Sequence, residues 1–395
     1  DAYLRQYSES QQEYGRQAHS QPRQGSQRAP RRQPQGKPQY RRVQADPKRY
    51  EPAAKKKRES ENIEFGKKNS YANSKKGKKE LSGGSAVKKF FKGVFVVLLV
   101  LVLLLQLLIF RYIWLVNSVD TGERLVTNAS MSDKNVTNIL LIGSDTRDEN
   151  ERGRTDSMIL LSINKQTKQM TMTSLMRDCY VEIPDHGWAK LNAAYSYGGA
   201  ELLMDTIEQN FDVAVDKFVY VSFFSFIDIV DAVGGINIDL SDDEAQYMTD
   251  PMAEQNKYLG NKKGTDYLSH GGDDMLLNGN QALAYARLRY VGNADFERTQ
   301  RQRTVITKII SQAKTLSPLK LDNFMKVCCS ELTTNMTKGE MYIMFYKLLF
   351  SMNYDMQQLR IPQEGAYYYG THDEQSTLDL DFDACQREIK KKIYN

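Results

Sequence analysis

Cysteine is scarce, with four residues in a chain of 395, and none stands in a CxxC or Cys/His spacing. That excludes the usual zinc arrangements. One long-range disulfide among Cys179, Cys328, Cys329 and Cys385 stays open, and sequence offers no pairing for it. Aliphatic clusters are missing from residues 1–92, which are built mainly from Gln, Arg, Lys, Ser and Pro. A segment of that kind buries too little apolar surface to offset its ordering entropy, so a disordered tail over residues 1–89 is expected. Asp1 stands where Met would, which predicts a missing or processed start.

The net charge of +5 conceals two opposed parts. Residues 1–92 hold 24 Lys+Arg against 9 Asp+Glu, leaving 30 of the 54 basic and 40 of the 49 acidic residues for the remainder. The tail's basic groups, among them Arg31, Arg32, Arg41, Arg42 and the Lys55 to Arg58 run, suit anionic lipid or a cytoplasmic partner. They carry no fold for sequence-specific reading of nucleic acid, so no specific nucleic-acid partner is expected.

Charge is absent altogether from Gly93 to Phe110, eighteen residues rich in Val and Leu. About 20 apolar residues cross a bilayer, and Phe90, Phe91, Tyr112 and Trp114 sit where interfacial aromatics belong. A single transmembrane helix over residues 90–116 follows. Seven lysines, Lys75, Lys76, Lys78, Lys79, Lys88, Lys89 and Lys92, precede it, whereas only Arg111 and Arg124 are nearby on the other side. The tail is therefore expected in the cytoplasm and the rest outside. A polar stalk over 117–136 would lead to a domain over 137–395, with its core in 138–316. Asn128, Asn135 and Asn335 sit in sequons that matter only in a host that glycosylates exported chains.

The domain's first informative stretch is NILLIGSDTRDENERGRTD, Asn138 to Asp156. Ile139 to Ile142 reads as a buried strand, broken by Gly143 into a loop carrying Asp145, Arg147, Arg152, Arg154 and Asp156. Carboxylates with neighbouring guanidiniums at a strand end suit a divalent cation and a phosphate, because oxygen ligands hold Mg²⁺ and guanidinium grips phosphate through paired hydrogen bonds. Ser157 to Asn164 and Met170 to Leu175 read as two adjacent strands, the second followed at once by Arg177 and Asp178. A helix from Lys190, a longer one from Gly199, a strand running into a helix over Phe218 to Val233, and a strand over Ile236 to Leu240 follow. The mixture predicts a layered α/β domain. Ser241 to Leu276 reads as an extended polar insertion. A helix ending near Ala286 comes next, and another starts near Phe296. On the latter, Arg298, Gln302, Val305 and Ile309 share one stripe, so Arg298 must meet an acidic group or a bound anion. Met341 to Phe350 reads as an amphipathic helix and Met356 to Ile361 as a closing strand.

Five blocks in order carry a resemblance: LLIGSDTRDENERGRTDSMIL, SLMRDCYV, KLNAAY, VDAVGGINI, and LNGNQALAYARLRY followed by DFERTQRQR. Together they resemble the LytR-CpsA-Psr family over roughly Asn138 to Leu316. The resemblance implies an α/β/α sandwich with a central mixed sheet and a hydrophobic prenyl pocket. It implies a phosphotransferase on the outer face of a bacterial, typically Gram-positive, membrane. Such an enzyme takes teichoic acid, capsule or another wall polysaccharide from undecaprenyl pyrophosphate and attaches it to peptidoglycan. Carried over by position, Asp145 and Asp156 match metal-binding carboxylates for Mg²⁺, or Mn²⁺ in its place. Arg147, Arg177, Arg287, Arg289, Arg298 and Gln302 match pyrophosphate-binding positions, and Arg154 a basic position beside the second Asp. Asp145, Asp156 and Arg298 are the expected catalytic residues, with either Asp as base. Met176 stands where many members have Pro. The prenyl pocket is expected to draw on Phe218 to Val230 and on Ile306 to Ile310. The readings to be distinguished are a polyprenyl-pyrophosphate hydrolase at the same site, and a nonenzymatic tethered regulator.

Overall fold

The computed structural model describes residues 83–121, 124, 129–145, 153, 155–289 and 294–395. Residues 1–82 of the expected tail, together with Arg147, Arg152 and Arg154, lie outside the described residues, whereas residues 83–89 are helical and not disordered as expected. A long helix, α1 (Gly83–Leu115), leads into β1 (Asn117–Ser118). The chain then runs β2 (Val136–Ser144), β3 (Thr155–Asn164), β4 (Gln169–Leu175), β5 (Cys179–Ile183), β6 (Gly187–Lys190), α2 (Leu191–Phe211), β7 (Lys217–Ser222) and α3 (Phe223–Val233). It continues through β8 (Ile236–Leu240), α4 (Asp242–Tyr247), α5 (Thr249–Tyr258), β9 (Gly272–Leu277), α6 (Gly279–Arg287) and α7 (Ala294–Ala313). Last come α8 (Pro318–Glu331), β10 (Thr333–Thr334), α9 (Lys338–Ser351), β11 (Asp355–Ile361), β12 (Tyr367–His372), β13 (Gln375–Leu380) and α10 (Phe382–Ile393).

Seven strands form the central sheet in the order β1-β10-β7-β2-β3-β4-β11. It is mixed: β2 is parallel to β7 and β4 to β11, whereas β3 is antiparallel to both β2 and β4. Side chains alternate between faces, so each strand feeds two layers. Leu140, Ile142, Met158 and Leu160 join Leu203, Ile207 and Phe211 of α2 and Ile389 and Ile393 of α10 in one core. Ile139 faces the other way, toward Met336 and Met341 and Met344 of α9. A third cluster joins α3, β8, β9 and α4 to α6 through Val230, Ile236 and Leu277. The α/β/α expectation holds.

Local signals were legible where glycine or a cap marks an end. Helix α2 kinks at Gly199 (φ 75°, ψ −157°), where two helices were expected. Helix α3 stops at Gly234, whose φ of 91° belongs to the left-handed region that glycine enters without steric cost. Helix α6 begins with a reciprocal cap between Asn278 and Gln281. Its first residue, Gly279, presses on α3: a Cβ there would stand 2.3 Å from the Ile227 carbonyl oxygen. Backbone cannot rotate away as a side chain can. Gly279→Ala should therefore cost about 1–3 kcal/mol, a lowered midpoint in urea unfolding with an unchanged slope. An unchanged midpoint would mean that α6 is loosely seated.

Two expectations need correction, and the open question of a disulfide is answered. Ser241 to Leu276 is no extended insertion: it forms α4, α5 and β9. Helix α5 buries Met252, Gln255 and Asn256, so two of its three inward residues are polar and the apolar period is hidden. The expected stalk is tied to the domain, since β1 pairs with β10, Met131 bridges to Val213, and Arg124 reaches Asp205 at 2.8 Å and Glu208 at 3.1 Å. A two-residue strand and one ion-pairing arginine leave no periodic trace. The four cysteines are free thiols, so no disulfide forms, and burial pushes Cys385 and Cys328 up to about 12. Asn335, in a sequon, donates to the Asp216 carbonyl and accepts from the Phe218 N–H.

Candidate active site

Because β2, β7 and β4 run parallel, their carboxyl ends share one sheet edge, and β3 starts there. Ligands in open α/β sheets bind at that edge. Asp145 follows β2, Asp156 opens β3, Arg177 follows β4 and Phe223 follows β7. The strand order thus gathers residues 145, 156, 177 and 223 from four separate positions in the chain.

Asp156 is the electrostatic centre. Its Oδ1 lies 3.0 Å from the Arg177 guanidinium, 3.5 Å from Arg289 and 4.0 Å from Arg298. Its carbonyl accepts from Arg298 Nη2 and from Gln302 Nε2, both at 3.4 Å. Burial by itself would raise the Asp156 carboxyl, but Arg298, Arg177 and Arg289 outweigh it, and its pKa lies below the ordinary range. Arg298 is 3% exposed, so its acidic partner is the one that the helical stripe required. Arg177 in turn meets Asp178 at 3.3 Å, and Lys190 holds the same carboxylate at 2.7 Å.

The other arginines of DFERTQRQR serve the fold. Arg301 pairs with Glu244 and Glu297, and Arg303 donates to Ser174 Oγ at 2.6 Å and to Gln358. Burial, reinforced by Arg360, lowers Arg303 to about 10.

A cavity of about 600 Å³ opens at this edge. Asp145, Asp156, Arg287, Arg289, Arg298 and Gln302 all line it, so the expected site residues among the described ones converge, with Arg177 just behind Asp156. Arg287 stands apart: it pairs with Glu254 of α5 at 2.7 Å and lies over the Phe223 ring at 5.0 Å. Leu288, with φ −58° and ψ 133°, is extended. That extension lets Arg287 and Arg289 both reach the cavity, as their alternation required. Glu254 and Asp250 were missed because α5 was read as loop. The cap between Ser241 and Glu244 and the four-residue spacing of the two acids were the available signals.

Helix α7 carries the cavity from polar to apolar. Arg298 and Gln302 line the charged mouth, and Ile306, Ile309 and Ile310 continue the wall over twelve residues, about 18 Å of helix. Val219, Val221, Phe226 and Ile229 face them, which are the two apolar stretches expected to form a prenyl pocket. Among the described residues no group of three or more His, Cys, Asp or Glu gathers to hold a metal. A cation here has the carboxylates of Asp145 and Asp156 and must complete its shell elsewhere.

An α/β domain with a cationic mouth at the strand ends and a deep apolar body defines a receptor for an amphiphile with an anionic head. Comparison with known proteins agrees: residues 116–391 match the LytR_cpsA_psr family, and the chain belongs to it. It is 35% identical over 249 residues, 61% of this chain and 74% of the relative, to a polyisoprenyl-teichoic acid–peptidoglycan teichoic acid transferase, TagU, of Bacillus licheniformis. A structure of TagT bound to LI-WTA matches with a TM-score of 0.54 and 26% identity, covering 70% of this chain and 98% of that one. Another, the family protein YwtF (TagT) with bound octaprenyl pyrophosphate lipid, matches with a TM-score of 0.51 and 25% identity, covering 70% and 98%.

Proposed function

We propose that this chain is a membrane-anchored phosphotransferase that moves a glycopolymer from a polyprenyl pyrophosphate, of undecaprenyl type, to peptidoglycan. One observation carries the reading: a single cavity joins the Asp156–arginine mouth to the isoleucine-lined body, matching a pyrophosphate head on a prenyl tail. The relatives' transferase activity and the lipid-bound neighbour point the same way. Helix α1 contains an apolar span over Val87–Leu115 that fits a single-pass anchor, and the seven lysines before it favour a cytoplasmic tail with the domain outside.

Chemistry at such a site needs charge neutralisation and positioning more than covalent help. Arg298, Arg289 and Gln302 hold the pyrophosphate oxygens at the mouth, while the apolar wall orients the tail. The acceptor hydroxyl attacks the sugar-side phosphorus, and the bond to the bridging oxygen breaks. Prenyl phosphate leaves with that electron pair, and the proton passes to a carboxylate. Three guanidiniums keep Asp156 ionised, and Asp145 and Asp156 are the two carboxylates at the mouth to take the proton. The carboxylates of Asp145 and Asp156 would hold Mg²⁺ or Mn²⁺ at the mouth. When bound, that ion supplies neutralisation of the developing phosphate charge.

The test is product analysis with the full chain in vesicles, a polyprenyl-pyrophosphate-linked glycopolymer and peptidoglycan. Transfer should leave phosphate-linked polymer on peptidoglycan, EDTA should remove most of the rate, and Mg²⁺ should restore it. Free phosphorylated polymer would make the protein a hydrolase. Neither product, with lipid still bound, would make it a tethered regulator. A rate unchanged by EDTA would remove the metal from the reading.

A further inference from the structure

We propose that the outer ends of α8 and α9, with the last third of α1, form one surface that seats in the outer leaflet of the bilayer. This places the apolar end of the cavity against lipid. The inference rests on the anchoring by α1 put forward above.

Depth is set by counting along α1. A span of about twenty residues from Gly93 reaches Tyr112, with Arg111 at its outer end, so Gln106 lies about 9 Å beneath the outer boundary of the hydrocarbon. A glutamine amide at that depth must find partners within the protein. It does so in the domain: Tyr346 donates to Gln106 Oε1 at 2.7 Å, and Tyr342 donates to the same oxygen. Both tyrosines belong to α9, which therefore descends beside α1 below the membrane surface. Ile109 and Ile113 of α1 are buried against Met336, Met341 and Met344, which makes this contact a packed core. At the upper end Lys338 donates to the carbonyls of Ile113 at 3.2 Å and Val116 at 2.6 Å, capping the last turn of α1.

Helix α8 flanks α1 on another side. Asn117 N–H donates to the Leu332 carbonyl just beyond the end of α8, and the Tyr112 hydroxyl donates to Asp322 near its start. Residues 322–332 thus run alongside residues 112–117, and the first turn of α8 reaches lower than Tyr112. The two helices run in opposite directions, yet their exposed apolar residues collect at the ends directed into the membrane. Leu319 of α8 is 86% exposed and Phe350 of α9 is 74% exposed, accompanied by Leu321 and Leu349. Large apolar side chains gathered around a membrane helix have one solvent that suits them. Lys320, exposed near the start of α8, suits lipid phosphates, whereas Lys347 donates to Thr137 Oγ1 of β2 at 3.0 Å.

The seat explains how a prenyl tail arrives. Leu332 lines the cavity, and its carbonyl holds Asn117 at the exit of α1. The apolar end of the cavity therefore adjoins the point where the helix leaves the bilayer. A tail drawn along α8 passes from lipid into the Ile309 and Ile310 wall without crossing water.

The test uses tryptophan depth in vesicles of phosphatidylcholine and phosphatidylglycerol with acyl-chain bromines. Trp114 and Trp188 are the two tryptophans of the full chain. With both replaced by Phe, the added Phe350→Trp should lose at least half its emission to brominated lipid and be shielded several-fold from aqueous iodide. Trp188 alone, in a Trp114→Phe chain, should respond the opposite way. If Trp114 alone is quenched by brominated lipid but Phe350→Trp answers only to iodide, the seat is wrong and the anchor stands. If Trp114 also answers only to iodide, both fail. Neither result depends on catalytic activity, so failure of the transferase reading is seen separately in the product assay.

Discussion

Arg298→Ala is expected to lower glycopolymer transfer by about 10²–10³-fold, the usual consequence of deleting one preorganised charge donor from a phosphoryl or acyl transfer site. Arg298 is buried, approaches the Asp156 carboxylate, and lines the cavity mouth with Gln302. Its loss removes positive charge where the leaving phosphate develops negative charge, while Arg177 and Arg289 still hold Asp156. Arg298→Lys should recover little, because a point charge cannot reproduce the planar fork. A pH signature accompanies the loss. In the native protein the Asp156 carboxyl is held below its ordinary range, so it stays ionised well into acid. Without Arg298 the burial that pushes it upward is less opposed, and the acid limb of the residual rate should move to higher pH. Steady-state transfer between about pH 4 and 8, the interval where carboxylates of ordinary and raised pKa titrate, reads both effects. A wild-type rate with an unmoved limb would take Arg298 out of the machinery.

The second large effect concerns stability. Arg124→Met leaves Asp205 and Glu208, each with a side chain 2% exposed, without the cation that meets both. Burial already raises the Glu208 carboxyl despite the Val215 N–H and Arg124, so its ionised form depends on them. Breaking a buried ion pair from one side costs about 3–5 kcal/mol. For a domain of this size that corresponds to a fall in Tm of about 10 °C. Adding Glu208→Gln to Arg124→Met should return part of it, since one uncompensated charge disappears. Calorimetry of the four chains closes the double-mutant cycle, and a single variant that melts with the wild type would mean that Arg124 is a surface group.

Much of the site could be read before any fold was known, for a local reason. Asp145 and Asp156 flank one loop, Arg287 and Arg289 alternate on one short segment, and Arg298 and Gln302 lie one turn apart on one helix. The two arginine-bearing pairs are fixed by the repeat of a strand or helix, and the two Asp by their nearness in the chain. The demand that buried Arg298 meet an acid was equally local, being a matter of desolvation. Which acid it met was not. Asp156 reaches it only because β3 lies antiparallel to β2 and α7 crosses the same sheet edge. Glu254 was invisible for a different reason: its helix packs through Gln255 and Asn256, so hydrophobic periodicity could not reveal it. Arg124 pairs with residues 81 and 84 positions away, and no short-range pattern carries such a contact.

The sequence by itself determined the long apolar helix, the order and type of most elements, and the chemistry of the carboxylates and guanidiniums, because each follows from composition or from a repeat within about twenty residues. Tertiary structure alone decided that these groups surround one carboxylate at the mouth of an apolar cavity, that the segment after α1 is fastened to the domain, and that α8 and α9 pack beside α1. Those outcomes depend on strand order and helix packing, where residues far apart in the chain meet only after the sheet has chosen its neighbours.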